Sequence, residues 1–377
     1  MTIAIYALSG DPITYGHIDI IERASKAFEK LIVAIGENPA KKYTLNSKER
    51  LNVAKQSLSH IENIEICIFD GLLADFAFEN KADFIIRGVR DSKDVSDEQS
   101  LASINASQSM VDTFLLFSKS KFAHVSSSSV KALQKENGCI SEYVPLPVKK
   151  IIEKKISDQT ILGITGIMGS GKSYVAEKLV FYSQMIRESR DNAEEYPLVH
   201  NIELDKLAHI IYDSSIPAYQ SVRDKIFNHF NTLDRKKISE ITFGGDEKSN
   251  KIHVDFLNNV FKDPIRILLR KELRGKKGII LINSALLAEQ NFLNDCNNNV
   301  ILVSAKDEIR HERLSNFRKI DPKIAEKRIS FMLSNKEKKS LISEKIKNDR
   351  FGEIIHFENN EVDIENIERL YEKIIKI

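Results

Sequence analysis

From residue 3 the chain alternates short apolar runs with segments of helical period. Residues 3–8 read as a strand, and residues 16–28 as a helix with Ile18, Ile21, Ala24 and Phe28 on one face. The same reading expects strands at 31–35, 64–69, 83–86 and 113–117, and helices at 47–58, 72–78 and 98–109. Strands that are apolar almost throughout, separated by helices, predict a parallel sheet covered on both faces, with ligands at the carboxyl ends of its strands. Val144-Pro145-Leu146-Pro147 breaks the pattern, and a basic helix carrying Lys149, Lys150, Lys154 and Lys155 leads to Ser157-Asp158-Gln159. The seam is placed there, giving domains 1–157 and 158–377. A second α/β unit opens with a strand at 161–165, and further strands are expected at 198–204, 278–282 and 300–303. The charged stretch 187–195 reads as a surface excursion, and the lysine-rich helix 336–347 as a solvated face. The fold class expected is α/β with two parallel-sheet domains.

A chain of 377 residues exceeds one ordinary core. Its 56 basic and 54 acidic residues leave a formal charge of +2, which argues for neither a nucleic-acid nor a membrane partner. Cys67, Cys139 and Cys296 are far apart and odd in number, fitting neither a disulfide framework nor a metal spacing. Residues 1–6 carry no basic leader, Asp11-Pro12 follows closely, and no apolar run approaches the roughly 20 residues that cross a bilayer. A cytoplasmic enzyme of small-molecule substrates is expected.

The sharpest motif is Gly166-Ile167-Met168-Gly169-Ser170-Gly171-Lys172-Ser173, a G-x-x-x-x-G-K-[ST] run between an apolar strand and a helix starting near Tyr174. Its glycines let backbone N–H groups converge on phosphate oxygens, and the helix N-terminus adds positive potential. Lys172 is expected on the β- and γ-phosphates of ATP and the Ser173 hydroxyl on Mg²⁺. Phosphoryl transfer to a hydroxyl also needs a carboxylate to take the proton. Glu203-Leu204-Asp205 ends an apolar run, and in a strand its two carboxylates share a face, with a helix N-cap by Asp205 as the alternative. Arg313 and Arg318, with Arg310, form a basic segment after the strand at 300–303.

Residues 160–377 resemble dephospho-coenzyme A kinase. The resemblance rests on the phosphate loop, Glu203-x-Asp205, Asp234-Arg235 leading to Ile241-Thr242-Phe243, Asp263-Pro264-Ile265-Arg266, and the stretch from Arg313 to Arg318. It implies that Asp205 activates the ribose 3′-hydroxyl of dephospho-coenzyme A. It also implies that Gly169, Ser170, Gly171, Lys172, Ser173, Tyr174, Arg313 and Arg318 hold ATP. Glu203 stands where the family has its first aspartate, Ile167 where it has a second loop glycine, and Asp263-Pro264 where it has His-Pro.

In the first unit, Ser9-Gly10-Asp11-Pro12-Ile13-Thr14-Tyr15-Gly16-His17 follows the first strand. Lys41-Lys42 follows the second, Arg87-Gly88-Val89-Arg90 the fourth, and Val125-Ser126-Ser127-Ser128-Ser129-Val130-Lys131 the fifth. Cationic and N–H-rich groups thus gather at one sheet edge, although Lys42 and Ser129 taken singly read as a solvated loop residue and a cap. A histidine at a helix N-terminus can donate to developing phosphoryl charge. Together these residues resemble bacterial-type phosphopantetheine adenylyltransferase, of the H-x-G-H nucleotidyltransferase superfamily, from Tyr6 to about Val148, with Thr14 replacing the first histidine. The resemblance implies that His17 stabilises the α-phosphate transition state and that Lys41 and Arg87 hold the phosphate of 4′-phosphopantetheine. Ser9 would touch both substrates and Leu73 would line the pantetheine arm. ATP would be held by Gly10, Gly88, Val89, Arg90, Glu98 and the segment Phe122, Ala123, His124, Val125, Ser126, Ser127 and Ser128. Leu8 and Gly10 depart from the usual G-[ST]-F-D-P opening. A homo-oligomer built through this domain is also implied.

The product implied for the first unit is the acceptor implied for the second. A Rossmann-like nucleotidyltransferase fold followed by a P-loop kinase fold, acting on consecutive steps of coenzyme A synthesis with ATP and Mg²⁺, is therefore expected. Three alternatives stand beside it: another phosphorylated acceptor for the transferase, another acceptor for the kinase, or one half reduced to a regulatory nucleotide-binding module.

Overall fold

The computed structural model describes residues 1–377 apart from 40, 317–331 and 362, and apart from the side chains of 247, 315 and 316. The chain forms two compact units, Met1–Ser157 and Asp158–Ile377.

The first unit contains a five-stranded parallel sheet, β1 (Ile3–Leu8), β2 (Lys30–Gly36), β3 (Ile64–Phe69), β4 (Phe84–Val89) and β5 (Asp112–Phe117), in the order β3-β2-β1-β4-β5. The unbroken apolar run of β1 is explained by burial on both faces. Ala4, Tyr6 and Leu8 pack into one core, while Ile5 and Ala7 pack into the core on the other side. Helices α1 (Tyr15–Ala27), α2 (Ser47–Ser57), α3 (Leu73–Glu79), α4 (Ser92–Ser109), α5 (Ser127–Lys135) and α6 (Leu146–Ile152) complete the unit. Strand β1 pairs with β2 on one side and β4 on the other, so the chain reverses its winding between β1 and β4 and opens a crevice at their carboxyl ends.

The second unit is built the same way, from β6 (Gln159–Thr165), β7 (Val199–Glu203), β8 (Gly278–Asn283), β9 (Asn299–Ser304) and β10 (Glu353–Glu358), in the order β10-β9-β6-β8-β7. Its main helices are α7 (Lys172–Ser189), α8 (Leu204–Ile211), α9 (Gln220–Phe230), α10 (Arg235–Gly244), α11 (Glu247–Leu273) and α12 (Asp307–Asn316), with two more at Asn335–Asp349 and Ile364–Ile375. Along β8, Ile280 and Ile282 face one core and Ile279 and Leu281 the other. No helix among the described residues is long and apolar enough to cross a membrane.

Several expectations are corrected. Strand β4 continues through Arg87, Gly88 and Val89, which pair with Leu115, Leu116 and Phe117, so these residues lie within the strand and do not follow it. Helix α4 starts at Ser92, six residues early, because Asp91 caps it by accepting from Asp94 N–H at 2.9 Å. Residues 187–189 are the last turn of α7. The lysine-rich helix is not wholly solvated. Lys338 is fully buried, donates to Ala285 O at 2.7 Å and pairs with Glu289.

Candidate functional sites

At the carboxyl ends of β1 and β4 lies a cavity of about 600 Å³. Buried polar residues tie the surrounding segments together. Asp11, buried just after β1, accepts the Leu45 and Thr44 N–H groups at 2.9 and 3.0 Å and pairs with Lys131 at 2.7 Å. Arg50, buried in α2, donates to Ser9 O at 2.6 Å and to Gly36 O at 2.8 Å, tying the ends of β1 and β2 together. Ser127 Oγ donates to Pro12 O at 2.8 Å and brings the N-terminus of α5 to the same rim.

His17 sits in the first turn of α1. Its Nδ1 accepts the Thr14 N–H at 3.0 Å and lies 2.9 Å from Thr14 Oγ1, so in the neutral ring the proton is assigned to Nε2. Burial, with Arg90 and Arg87 adding repulsion, lowers its pKa to about 4. His17 is therefore a neutral donor at physiological pH.

The two arginines are themselves paired. Arg87 forms a bidentate pair with Glu98, both contacts 2.6 Å, and donates to Ala7 O at 2.9 Å. Arg90 pairs with Asp94 at 2.9 and 3.3 Å. Desolvation opposes the Arg87 charge, but Glu98 outweighs it and raises the pKa; for Arg90 the Asp94 hydrogen bond is the leading cause of a rise. Helix α4 thus supplies a counter-charge to both cations. Desolvation likewise holds the Tyr6 phenol above its ordinary range.

In the second unit the glycine-rich segment follows β6, and Lys172 opens α7 from a buried position. Gly169 and Gly171 have φ of +83° and +82°, which glycine adopts without strain. A Cβ on Gly171 would stand 2.1 Å from Asn359 Nδ2. Ser170 N–H closes the turn on Ile167 O at 3.1 Å, and Ile167 N–H donates to Asn335 Oδ1 at 3.2 Å. Ser173 Oγ accepts from Asn283 Nδ2 at 3.4 Å. The carboxylates at the end of β7 differ from the expectation. Glu203 ends the strand and Asp205 lies in the first turn of α8, so they do not share a strand face. Glu203 pairs with Lys206 at 2.7 Å, whereas Asp205 is exposed to solvent. Among the described residues no group of three or more His, Cys, Asp or Glu side chains forms a metal cluster.

Both units match known families. The family model for cytidylyltransferase-like proteins matches residues 9–133, and that for dephospho-CoA kinase matches residues 160–353, more than half the chain. The phosphopantetheine adenylyltransferase of Caldanaerobacter subterraneus subsp. tengcongensis is 41% identical over 156 residues, covering 41% of this chain and 98% of that protein. That of Carboxydothermus hydrogenoformans is 40% identical over 160 residues, covering 41% and 99%. The Clostridium beijerinckii protein is 41% identical over 158 residues, covering 42% and 99%. The chain belongs to the phosphopantetheine adenylyltransferase and dephospho-CoA kinase families, one in each half.

Around the adenylyltransferase-family cavity, Ser9, Gly10, His17, Lys41, Arg87, Gly88, Arg90, Glu98, Val125, Ser126, Ser127 and Ser128 come together. Lys42 lines the cavity too, while Ser129 serves the capping box of Ser126. Five expected residues are not among the lining. Leu73 packs with the Ile5 and Ala7 core, Val89 is buried within β4, and Ala123 is exposed. Phe122 stacks on Tyr15 with ring centroids 6.4 Å apart, and His124 meets the edge of Tyr143 at 5.9 Å. Tyr6, Ile20, Tyr43, Asp94 and Ser118 line the cavity without having been singled out for it. Asp94 lies in the first turn of α4, while its partner Arg90 precedes the Asp91 cap, so no helical spacing marks the pair.

In the kinase-family unit, Gly169, Ser170, Gly171, Lys172 and Ser173 form one loop and helix start, with Tyr174 exposed beside them. Arg313 reaches this loop, donating to Ser170 O at 3.3 Å and Asn359 O at 2.9 Å, while Arg318 lies outside the described residues. Asn283, Asn335 and Asn359 were missed; an asparagine at a strand end or helix start carries no motif.

Proposed function

We propose that the chain makes coenzyme A from 4′-phosphopantetheine in two steps, adenylyl transfer giving dephospho-coenzyme A and pyrophosphate, then phosphorylation of the ribose 3′-hydroxyl. The observation that carries the reading is that the two units of one chain, each a parallel sheet with a reversal of winding, belong to families of consecutive reactions.

In the first step an oxygen of the acceptor phosphate attacks the α-phosphorus of ATP in line, and pyrophosphate leaves. No enzyme nucleophile is needed, so rate comes from positioning and charge stabilisation. His17 Nε2–H donates to the α-phosphate as charge builds, and Thr14 holds the ring in that tautomer. Lys41 and Arg87 hold the acceptor phosphate. Arg87 then exchanges its Glu98 carboxylate for phosphate oxygens, leaving Glu98 to accept from the nucleotide. Gly88, Arg90 and residues 125–128 hold ATP; Leu73 is assigned to the pantetheine arm, and Val89 with residues 122–124 to ATP.

In the second step the 3′-hydroxyl attacks the γ-phosphorus, the bond to the β,γ-bridging oxygen breaks and ADP leaves, while Asp205 takes the hydroxyl proton and Lys172 neutralises the transferring phosphoryl group. Arg313 lies on the basic side of the ATP site, and Arg318, outside the described residues, is assigned to ATP with it. Mg²⁺ bound with the nucleotide would supply charge neutralisation of the phosphates. The Ser173 hydroxyl fits as its single protein ligand, since Mg²⁺ takes most of its ligands from phosphates and water. Assembly through the first domain, domains divided at 157/158 and a cytoplasmic setting belong to the same reading.

The acceptors are tested directly. Pyrophosphate release is expected with 4′-phosphopantetheine and not with nicotinamide mononucleotide or glycerol phosphate. Asp205→Asn is expected to lower kcat for dephospho-coenzyme A phosphorylation by about 10²–10⁴-fold, the usual worth of a general base. Unchanged phosphorylation in that variant rejects Asp205 as the base.

A further inference from the structure

The phosphate loop of the second unit is gripped from outside by side chains that need not touch the nucleotide at all. Arg310, on α12, donates Nε to Met168 O at 3.2 Å. Asn359, fully buried just beyond β10, donates Nδ2 to Ser170 O at 2.7 Å. Arg313 Nη1 reinforces the same carbonyl, and the Asn359 N–H is anchored on Ser304 O at 2.7 Å, at the end of β9.

The consequence is geometric. In a trans peptide the C=O and the following N–H point to opposite sides. Turning Met168 O towards Arg310 sends the Gly169 N–H the other way, and turning Ser170 O towards Asn359 does the same for the Gly171 N–H. The intervening Ser170 N–H is spent inside the loop on Ile167 O. Alternate amides are thus freed and aimed, which is what a concave phosphate cradle needs. The fit is close, because Asn359 Nδ2 occupies the space a Cβ of Gly171 would take.

We infer that Arg310 and Asn359 are positioning residues of the kinase half, which pin alternate carbonyls of the loop and so aim the Gly169 and Gly171 N–H groups at the distal phosphates of ATP. The inference rests on the kinase reading above. Part of an enzyme's electrostatic advantage is that its dipoles are oriented before the substrate arrives. These two side chains perform that orientation at the carbonyl end of each peptide.

Asn359→Asp tests it, keeping the size but replacing the donor by a carboxylate that repels Ser170 O. Binding of ATP and of inorganic tripolyphosphate is measured on the full chain, and the part that Lys172→Ala abolishes is taken as the second unit's site. Both affinities are expected to fall together, by about tenfold or more, while adenylyl transfer and the KM for dephospho-coenzyme A stay within about twofold. Unchanged affinities, or a loss for ATP without a loss for tripolyphosphate, overturn the inference, since the cradle sees phosphate and not base. Should Asn359→Asp lose the second unit's unfolding transition, Arg310→Gln is read through Gly169 against the same two outcomes. Failure of the wild-type chain to phosphorylate dephospho-coenzyme A overturns the activity reading instead, and the binding comparison still judges the pins.

Discussion

His17 shows how a side chain is prepared for a task by what surrounds it. Thr14 takes the lone pair of Nδ1, and burial beside two guanidinium groups keeps the ring uncharged. Removing it as His17→Ala is expected to slow adenylyl transfer by about 10²–10³-fold, the range for losing one oxyanion donor, with the kinase step unaffected. Because its folded pKa is about 4, the ring's own contribution to rate stays constant between pH 8 and pH 5 and falls only below that. A rate that rises as imidazole protonates near pH 6.5 contradicts this. The sign for stability follows. A histidine depressed on folding leaves the native state fully favoured above the unfolded value, and that advantage is lost as pH falls from about 6.5 towards 4. Acid titration of stability should therefore show a steeper loss for wild type than for His17→Gln. At this scale the sequence was legible where a motif fixes a residue's place, as for His17 in the first turn of α1 and Lys172 and Ser173 at the start of α7. It was illegible where the partner is a backbone carbonyl from a distant segment, as for Arg50 on Ser9 O or Asn359 on Ser170 O.

At the scale of elements, periodicity located the apolar strands because each is buried on both faces, and it failed where that condition fails. Strand β10 went unnoticed because His356 and Glu358 alternate with Ile355 and Phe357 on an edge strand, leaving no continuous apolar run. Missing β10 also hid Asn359, which follows it. The start of α4 was missed because its first turns are polar, and the end of β4 because Arg87 and Gly88 interrupt the apolar signal. The helix Asn335–Asp349 carries many lysines, yet Lys338 is inside the protein, holding the helix to the segment after β8 through Glu289 and Ala285 O. Lys338→Ala is expected to destabilise the second unit by about 3–5 kcal/mol, because it strands a partly buried carboxylate, whereas simultaneous replacement of Lys338 and Glu289 by apolar residues costs much less. Denaturant unfolding of the full chain, read through the second unit's transition, checks both. A Lys338→Ala loss below about 1 kcal/mol, the range of an exposed pair, refutes the buried reading.

For the whole molecule, each of the two units has its own five-stranded parallel sheet whose winding reverses beside its first strand. The chemistry is divided accordingly. Lys172→Ala is expected to abolish the second transfer and leave the first intact, so that dephospho-coenzyme A accumulates; a matching fall in pyrophosphate release contradicts the division. The central claim, one chain performing both transfers in order, is tested most directly by incubating the purified full-length protein with ATP, Mg²⁺ and 4′-phosphopantetheine and following products by mass. The expected record is transient dephospho-coenzyme A giving way to coenzyme A, with one pyrophosphate and one ADP formed per acceptor consumed. A reaction that stops at dephospho-coenzyme A, or never reaches it, contradicts the account.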